Sequence, residues 1–203
     1  MDAKICGIKD SETLNYIINH NHPPKFIGFI TNYPKSKRYI EYESLKKLID
    51  LNKKKINFVS VLVNPNDETL EKIKDLNFDY YQLYNVSPEK TKIIKEKYKV
   101  KIITALTIEN KNDIEEYKKF EFISEIILFD SKGYEKSLSF DHTLLENIPN
   151  DTKRMLAGNI KYNDNLEKFK KISDIIDISG SLETQGEKDN RKINKFLKNI
   201  YRV

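Results

Sequence analysis

The sequence predicts an α/β protein, a single-domain (βα)8 barrel, on three observations. Short β-branched runs recur eight times, starting near Lys4, Phe26, Asn57, Asp79, Lys101, Glu125, Arg154 and Ile175. Segments of helical spacing lie between them, and no Gly/Pro/Ser-rich linker divides the chain. Runs such as Phe58-Val59-Ser60-Val61-Leu62-Val63 and Ile126-Ile127-Leu128-Phe129 are apolar at successive positions, as strands buried on both faces of a parallel sheet must be. A chain of 203 residues holds one sizeable core and stands at the lower end of the size range for this barrel.

In chain order, Lys4-Ile5-Cys6-Gly7-Ile8 is the first strand and its exit, where a glycine lets the backbone turn and leaves the Cys6 sulfur at the rim. Asp10-Ser11-Glu12-Thr13 caps a helix carrying Leu14, Ile17 and Ile18 on one face. After the strand at Phe26, Leu45, Leu48 and Ile49 mark a second helix; after that at Asn57, Leu70, Ile73 and Leu76 mark a third. Ser87-Pro88-Glu89 follows the fourth strand with an N-cap and a proline at the first helical position. Helical spacing returns in Leu166, Phe169 and Ile172, and finally in Ile193, Phe196, Leu197 and Ile200. Five of the six glycines (Gly7, Gly133, Gly158, Gly180 and Gly186) follow strand ends. An open doubly wound sheet is the alternative. Against it, the first turn lacks the G-x-G-x-x-G fingerprint, and eight units exceed what such a sheet needs. In a barrel every loop that follows a strand opens on one face, so Cys6, Asp130, Gly158 and Gly180 converge there.

The formal charge of +5 raises the question of a polyanionic partner, but the lysines are spread along the chain among 31 acids. Solvated helix faces look like this, and no basic stripe with interleaved aromatics concentrates the charge, so nucleic acid is not expected as a partner. With no membrane-length apolar run and no signal-peptide core, a membrane is not expected either, and the expected location is cytoplasmic. One cysteine builds no intrachain disulfide, and His20, His22 and His142 fall at spacings that match no metal pattern. Arginine occurs four times in a lysine-rich chain, so each one is a candidate for a role needing its planar fork.

Taken singly, a lone cysteine is more often a small core residue, and an Asp after an apolar strand more often a turn residue or cap. Read together the pieces are more specific. Lys4-Ile5-Cys6-Gly7-Ile8, Gly28-Phe29 with Tyr33-Pro34-Lys35-Ser36-Lys37-Arg38-Tyr39-Ile40, Val61-Leu62-Val63-Asn64, Gln82-Leu83, Leu128-Phe129-Asp130, Phe140-Asp141, Leu156-Ala157-Gly158 and Asp177-Ile178-Ser179 with Glu183, Gly186 and Lys188-Asp189 run in a characteristic order. In order and spacing the chain resembles the phosphoribosylanthranilate isomerase family over essentially its whole length.

The resemblance implies a TIM barrel and a cofactor-free Amadori rearrangement in tryptophan biosynthesis, acting on a small phosphorylated substrate, by a monomer or weak homodimer. It makes Asp130 the general acid that opens the sugar ring and Cys6 the general base at C2′. A thiol needs a positive neighbour to act as a base near neutral pH, and Lys4 alternates to the same strand face. Asp130 must instead be kept protonated, and the apolar Ile126, Leu128 and Phe129 beside it favour that. The resemblance sets Arg38 against the anthranilate-bearing end, where its fork suits a carboxylate. Phosphate falls to the loops after strands seven and eight, with Gly158, Asn159, Ser179, Gly180 and Ser181. Gln82 and Asp177 line the pocket or order its polar groups.

The chain departs from the family pattern in four places. The glycine-rich stretch after strand six is Tyr134-Glu135-Lys136-Ser137; the second glycine after strand seven is Asn159; Ser-Ser-Gly after strand eight is Ser179-Gly180-Ser181; and Gln-Leu-His-Gly is Gln82-Leu83-Tyr84-Asn85. These changes bear on phosphate binding and loop closure more than on the acid and base. Two other readings stay open. A related aminoaldose isomerase would want a carboxylate in place of Cys6, and a non-catalytic binding or scaffold barrel would lose only stability on Cys6→Ala.

Overall fold

A computed structural model describes residues 1–131 and 140–203 of the chain. Eight parallel strands close into a barrel in sequence order: β1 (Asp2–Cys6), β2 (Phe26–Ile30), β3 (Asn57–Val63), β4 (Tyr80–Tyr84), β5 (Lys101–Ile108), β6 (Ile126–Ser131), β7 (Arg154–Leu156) and β8 (Ile175–Ile178). Each of the first five strands is followed by a helix: α1 (Ser11–Ile18), α2 (Tyr42–Ile49), α3 (Asp67–Ile73), α4 (Pro88–Tyr98) and the short α5 (Lys111–Glu115). A two-stranded hairpin, β9 (Glu183–Thr184) with β10 (Glu187–Lys188), rises after β8 and leads into α6 (Asn190–Tyr201).

The period of two along each strand divides the apolar residues between two cores. Side chains such as Val59, Val61, Ile103, Leu128, Met155 and Ile175 fill the barrel, while Ile5, Ile27, Phe29, Phe58, Ile127 and Phe129 face the surrounding helices. The apolar runs are continuous because neither face meets water. Polar residues break the inner set toward the C-terminal ends of the strands, and there the barrel stops being a packed core and becomes a cavity.

The expected caps are present. Asp10 accepts from the Thr13 amide at 2.7 Å, and Ser87 caps α4 ahead of Pro88. One expectation is corrected. The spacing of Leu166, Phe169 and Ile172 predicts a helix after the seventh strand, but only a 3-10 turn forms over Leu166–Phe169. The stretch between Leu156 and Ile175 uses its first half to line the cavity, which leaves too few residues for an α-helix long enough to offset its nucleation cost. The three apolar side chains are buried nonetheless. The connection before β7 contains another 3-10 segment, His142–Asn147.

The terminal helix closes the shell by laying Ile193, Phe196, Leu197 and Ile200 into the main core, and Tyr16 of α1 donates to the Asn190 carbonyl at 3.2 Å. Phe196 is fully buried. Truncation to alanine removes a whole ring from a well-packed layer, so Phe196→Ala should lower unfolding stability by about 3–5 kcal/mol in urea denaturation, with the native fold retained.

Candidate active site

At the C-terminal ends of the strands lies a cavity of about 940 Å³. Its floor is set by alternation within the barrel. Cys6 is the last residue of β1 and Lys4 lies two before it on the same inward face; Gln82 and Tyr84 stand in the same relation on β4, and Asp130 and Asp177 project from β6 and β8. All ten residues singled out in the sequence line this one cavity: Cys6, Asp130, Arg38, Gln82, Asp177, Gly158, Asn159, Ser179, Gly180 and Ser181. The altered stretch Tyr134-Glu135-Lys136-Ser137, with Gly133, lies outside the described residues.

The strongest interaction in the floor is the ion pair between Lys4 Nζ and Asp177 Oδ2, at 2.7 Å with the side chains 0% and 7% exposed. Lys4 and Asp177 are register partners across the β1–β8 seam that closes the barrel. Burial, the largest single influence, opposes the lysine charge, but Asp177 and Cys6 together outweigh it and hold the Lys4 pKa above its ordinary value. Gly28, beside them on β2, makes room for the cluster. A Cβ there would stand 2.8 Å from the Cys6 sulfur and 3.2 Å from Lys4 Nζ.

Cys6 is almost entirely buried but opens on the cavity. Burial pushes its thiol pKa up, Lys4 and Lys188 pull it down, Asp177 pushes it up again, and burial prevails. Lys4 is therefore the neighbour the sequence suggested, yet it does not make a resting thiolate. Asp130 shifts in the direction expected of a general acid. Burial raises its pKa to about 6, with Asp177 adding to the rise and a hydrogen bond from Tyr84 working against it. The Tyr84 hydroxyl donates to Asp130 Oδ2 at 2.8 Å and accepts from Gln82 Nε2 at 3.3 Å.

Arg38 has a partner that the sequence did not foretell. Its Nε and Nη2 both donate to the Glu183 carboxylate, the latter at 2.9 Å, and Lys188 Nζ binds the same carboxylate at 2.8 Å. Burial works against the Glu183 charge, but the two cations win and hold its pKa below the ordinary value. Lys188 also donates to the carbonyl and hydroxyl of Ser179, whose own hydroxyl donates to the Cys6 carbonyl at 2.9 Å. The hairpin β9–β10 thus pins the loops after β1, β2 and β8 to one another. Glu183 and Lys188 form a largely shielded ion pair across the hairpin, and the sequence signalled them only as members of the motif after the eighth strand.

The loops after β7 and β8 carry backbone donors. Among the described residues, the N–H groups of Gly158, Asn159, Gly180 and Ser181 donate to no other protein group. Gly158 has φ +90, and a Cβ there would lie 2.2 Å from Ser131 Oγ, so only glycine fits. Asn159 follows at φ +52, in the left-handed region that asparagine tolerates, so the chain path survives without a second glycine. The Ser181 hydroxyl accepts from the Tyr162 amide at 2.7 Å, which ties the two loops together. No group of three or more potential metal ligands occurs among the described residues, and none of the described helices is long and apolar enough to cross a membrane.

This arrangement can hold an anion on the loop donors, with a proton donor, a thiol and a guanidinium around the same cavity; Arg38 Nη2 lies against Gly180, 2.9 Å from where a Cβ would stand there. The family model described as N-(5′-phosphoribosyl)anthranilate (PRA) isomerase matches residues 3–199. The N-(5′-phosphoribosyl)anthranilate isomerase of Brucella canis is 31% identical over 211 residues, covering 98% of this chain and 94% of the relative. The crystal structure of phosphoribosyl anthranilate isomerase from Thermotoga maritima superposes with a TM-score of 0.87 at 26% identity, over all of both chains. A further phosphoribosyl anthranilate isomerase structure, in complex with reduced 1-(o-carboxyphenylamino)-1-deoxyribulose 5-phosphate, shares the fold with a TM-score of 0.85 at 24% identity, again over all of both chains.

Replacing Lys4 by methionine leaves Asp177 buried without its partner and takes a positive charge from beside the thiol. Lys4→Met should cost about 3–5 kcal/mol of stability in urea denaturation, and Lys4→Met/Asp177→Leu should regain most of it. In the single variant the pH at which Cys6 becomes half-reactive toward iodoacetamide should move up.

Proposed function

The chain belongs to the N-(5′-phosphoribosyl)anthranilate isomerase family, and from that premise we propose how its cavity performs the isomerisation, with Asp130 as general acid and Cys6 as general base. The reaction is an Amadori rearrangement in tryptophan biosynthesis. The observation that carries the assignment of roles is that a carboxyl with a pKa near 6 and a buried thiol open on one cavity from β6 and β1.

Asp130 gives its proton to the furanose ring oxygen as the C1′–O bond breaks, and the anthranilate nitrogen supplies the electron pair that forms the iminium. The Cys6 thiolate then takes the proton from C2′. The C2′–H electron pair becomes the C1′–C2′ double bond of an enolamine, which tautomerises to the ketone. No electrons enter or leave and the protons balance. The N–H groups of Gly158, Asn159, Gly180 and Ser181 would bind the phosphate, since anions suit converging unpaired donors. Arg38, anchored by Glu183 through Nε and Nη2, keeps Nη1 for the anthranilate carboxylate. Asp177 Oδ1 and Gln82 Oε1 are buried acceptors without partners among the described residues, and substrate hydroxyls would satisfy them.

Because the pKa of Asp130 lies below that of Cys6, the competent form, neutral acid with thiolate, is the minor arrangement of a singly protonated pair. Its fraction is constant between the two titrations, falls below the lower one as the thiolate is lost to a second proton, and falls above the upper one as the acid is lost. The profile of kcat/KM against pH should therefore be bell-shaped, with its acidic limb near pH 6 and its alkaline limb above the ordinary thiol range.

Loss of anthranilate-type fluorescence from freshly prepared phosphoribosylanthranilate measures the reaction directly. Cys6→Ala and Asp130→Asn should each lower kcat by about 10²–10⁴-fold with folding intact. Wild-type decay no faster than the spontaneous rate would refute the activity; variants as fast as wild type would refute the roles.

A further inference from the structure

The family pattern has a histidine where this chain has Tyr84, and the departure falls on the residue that touches the acid. Alternation along β4 turns Gln82 and Tyr84 inward together, and both are buried. A carboxylate oxygen only accepts, so the phenol directs its single proton to Asp130 Oδ2 and takes the Gln82 amide N–H on its oxygen. The three groups form a directed chain from the wall of the barrel to the reacting centre.

We propose that Tyr84 is a positioning residue for this isomerisation: its hydroxyl, steadied by Gln82, fixes the Asp130 carboxyl by Oδ2 so that Oδ1 carries the proton to the sugar ring oxygen. The inference rests on Asp130 being the general acid. A carboxyl at the end of a strand can rotate about its terminal bond, and a proton on the wrong oxygen points away from the substrate. Occupying Oδ2 with a donor removes that state, because a protonated Oδ2 would confront the phenol hydrogen. A tyrosine suits the task at neutral pH. Burial, followed by the charges of Asp130 and Asp177, drives its own pKa well above the ordinary phenol value, so it donates over the whole working range. An imidazole in the same place would titrate within it.

The same bond favours the ionised carboxylate and so opposes the burial that raises the acid's pKa. The other groups acting on Asp130 are Asp177 from β8, the Ser131 backbone N–H and Lys4 from β1; Cys6 acts on Tyr84, and Glu109, beyond the end of β5, lines the same cavity. Tyr84→Phe leaves all of these in place and keeps the ring that fills the barrel.

The test compares wild type and Tyr84→Phe by pH profile and by carboxyl titration in protein carrying ¹³C-labelled aspartate, with Asp130→Asn assigning the signal. The acidic limb of kcat/KM and the Asp130 titration should both move up by about one pH unit, the worth of a hydrogen bond to a charged group. An acid one pH unit more basic enlarges the competent neutral-acid and thiolate fraction about tenfold, so a purely electrostatic role predicts a tenfold rise in kcat; in Tyr84→Phe the misdirected proton should cancel that rise, leaving kcat at or below the wild-type plateau with KM within about twofold. An unmoved limb and an unmoved titration would overturn the proposal, as would a rise in KM alone. Should Tyr84→Phe fold poorly, the wild-type protein still decides. A Tyr84 hydroxyl proton whose chemical shift follows the Asp130 titration supports the link, and one indifferent to it refutes it. Absence of isomerase activity in wild type would instead remove the reading beneath the proposal, while the carboxyl titration still reports whether Tyr84 sets Asp130.

Discussion

The Lys4–Asp177 ion pair is the constraint on which the cavity is organised. It joins the first and last strands at their register position, so the seam of the barrel and the floor of the site are the same object. A buried pair of this kind gains little over a packed apolar pair, and its value lies elsewhere. Neither charge tolerates the loss of the other, so one register of barrel closure is favoured over its slipped alternatives. Both charges also reach Cys6 and Asp130, since Lys4 and Asp177 are among the causes of the shifts of both.

Around this pair, burial is the largest influence on both reacting groups and pushes both pKa values upward. For the carboxyl this is useful, because an acid with a pKa near 6 still holds its proton in part at neutral pH. For the thiol it is a cost, offset only in part by Lys4 and Lys188. The two cations are engaged elsewhere as well: Lys4 with Asp177, and Lys188 with Glu183 and Ser179. A cation free of such partners would lower the thiol further but would itself be costly to bury. With the roles proposed for Asp130 and Cys6, the compromise leaves a small population of the neutral-acid, thiolate form.

Much of this was legible in the sequence, and the reasons are physical. A continuous apolar strand such as Phe58 to Val63 has one explanation, burial on two faces, and eight strands with intervening helical spacing leave few topologies. The inward placement of Lys4 beside Cys6 comes from the period of two. Interactions set by loop geometry could not be read. Arg38 invites the inference of a fork for a carboxylate, and it has one, but Glu183 occupies two of its donors. Arg154 is buried and donates instead to the Lys171 carbonyl and the Asn150 side chain, while Arg191 and Arg202 lie exposed at the surface, so scarcity of arginine was a weak guide. The segment around Leu166 failed as a helix because periodicity reports which face is buried and not how many turns the connection has room for.

The three departures that fall on described residues share a feature: Asn159 and Gly180 supply backbone positions on the cavity, and Tyr84 supplies a side-chain donor. Asn159 replaces a glycine but sits at a φ that asparagine can adopt, so the amide beside Gly158 still faces the cavity. With glycine at position 180, Ser179 binds the Cys6 carbonyl and Ser181 receives the Tyr162 amide, so the turn is cross-braced on both sides. Tyr84 in place of an imidazole preserves an N–H or O–H donor toward the acid and removes a titration from its vicinity. Each exchange narrows the local conformational freedom that a glycine or a switching imidazole would have given. Among the described residues, side-chain hydrogen bonds thus brace the loops after β1, β2, β7 and β8 to one another.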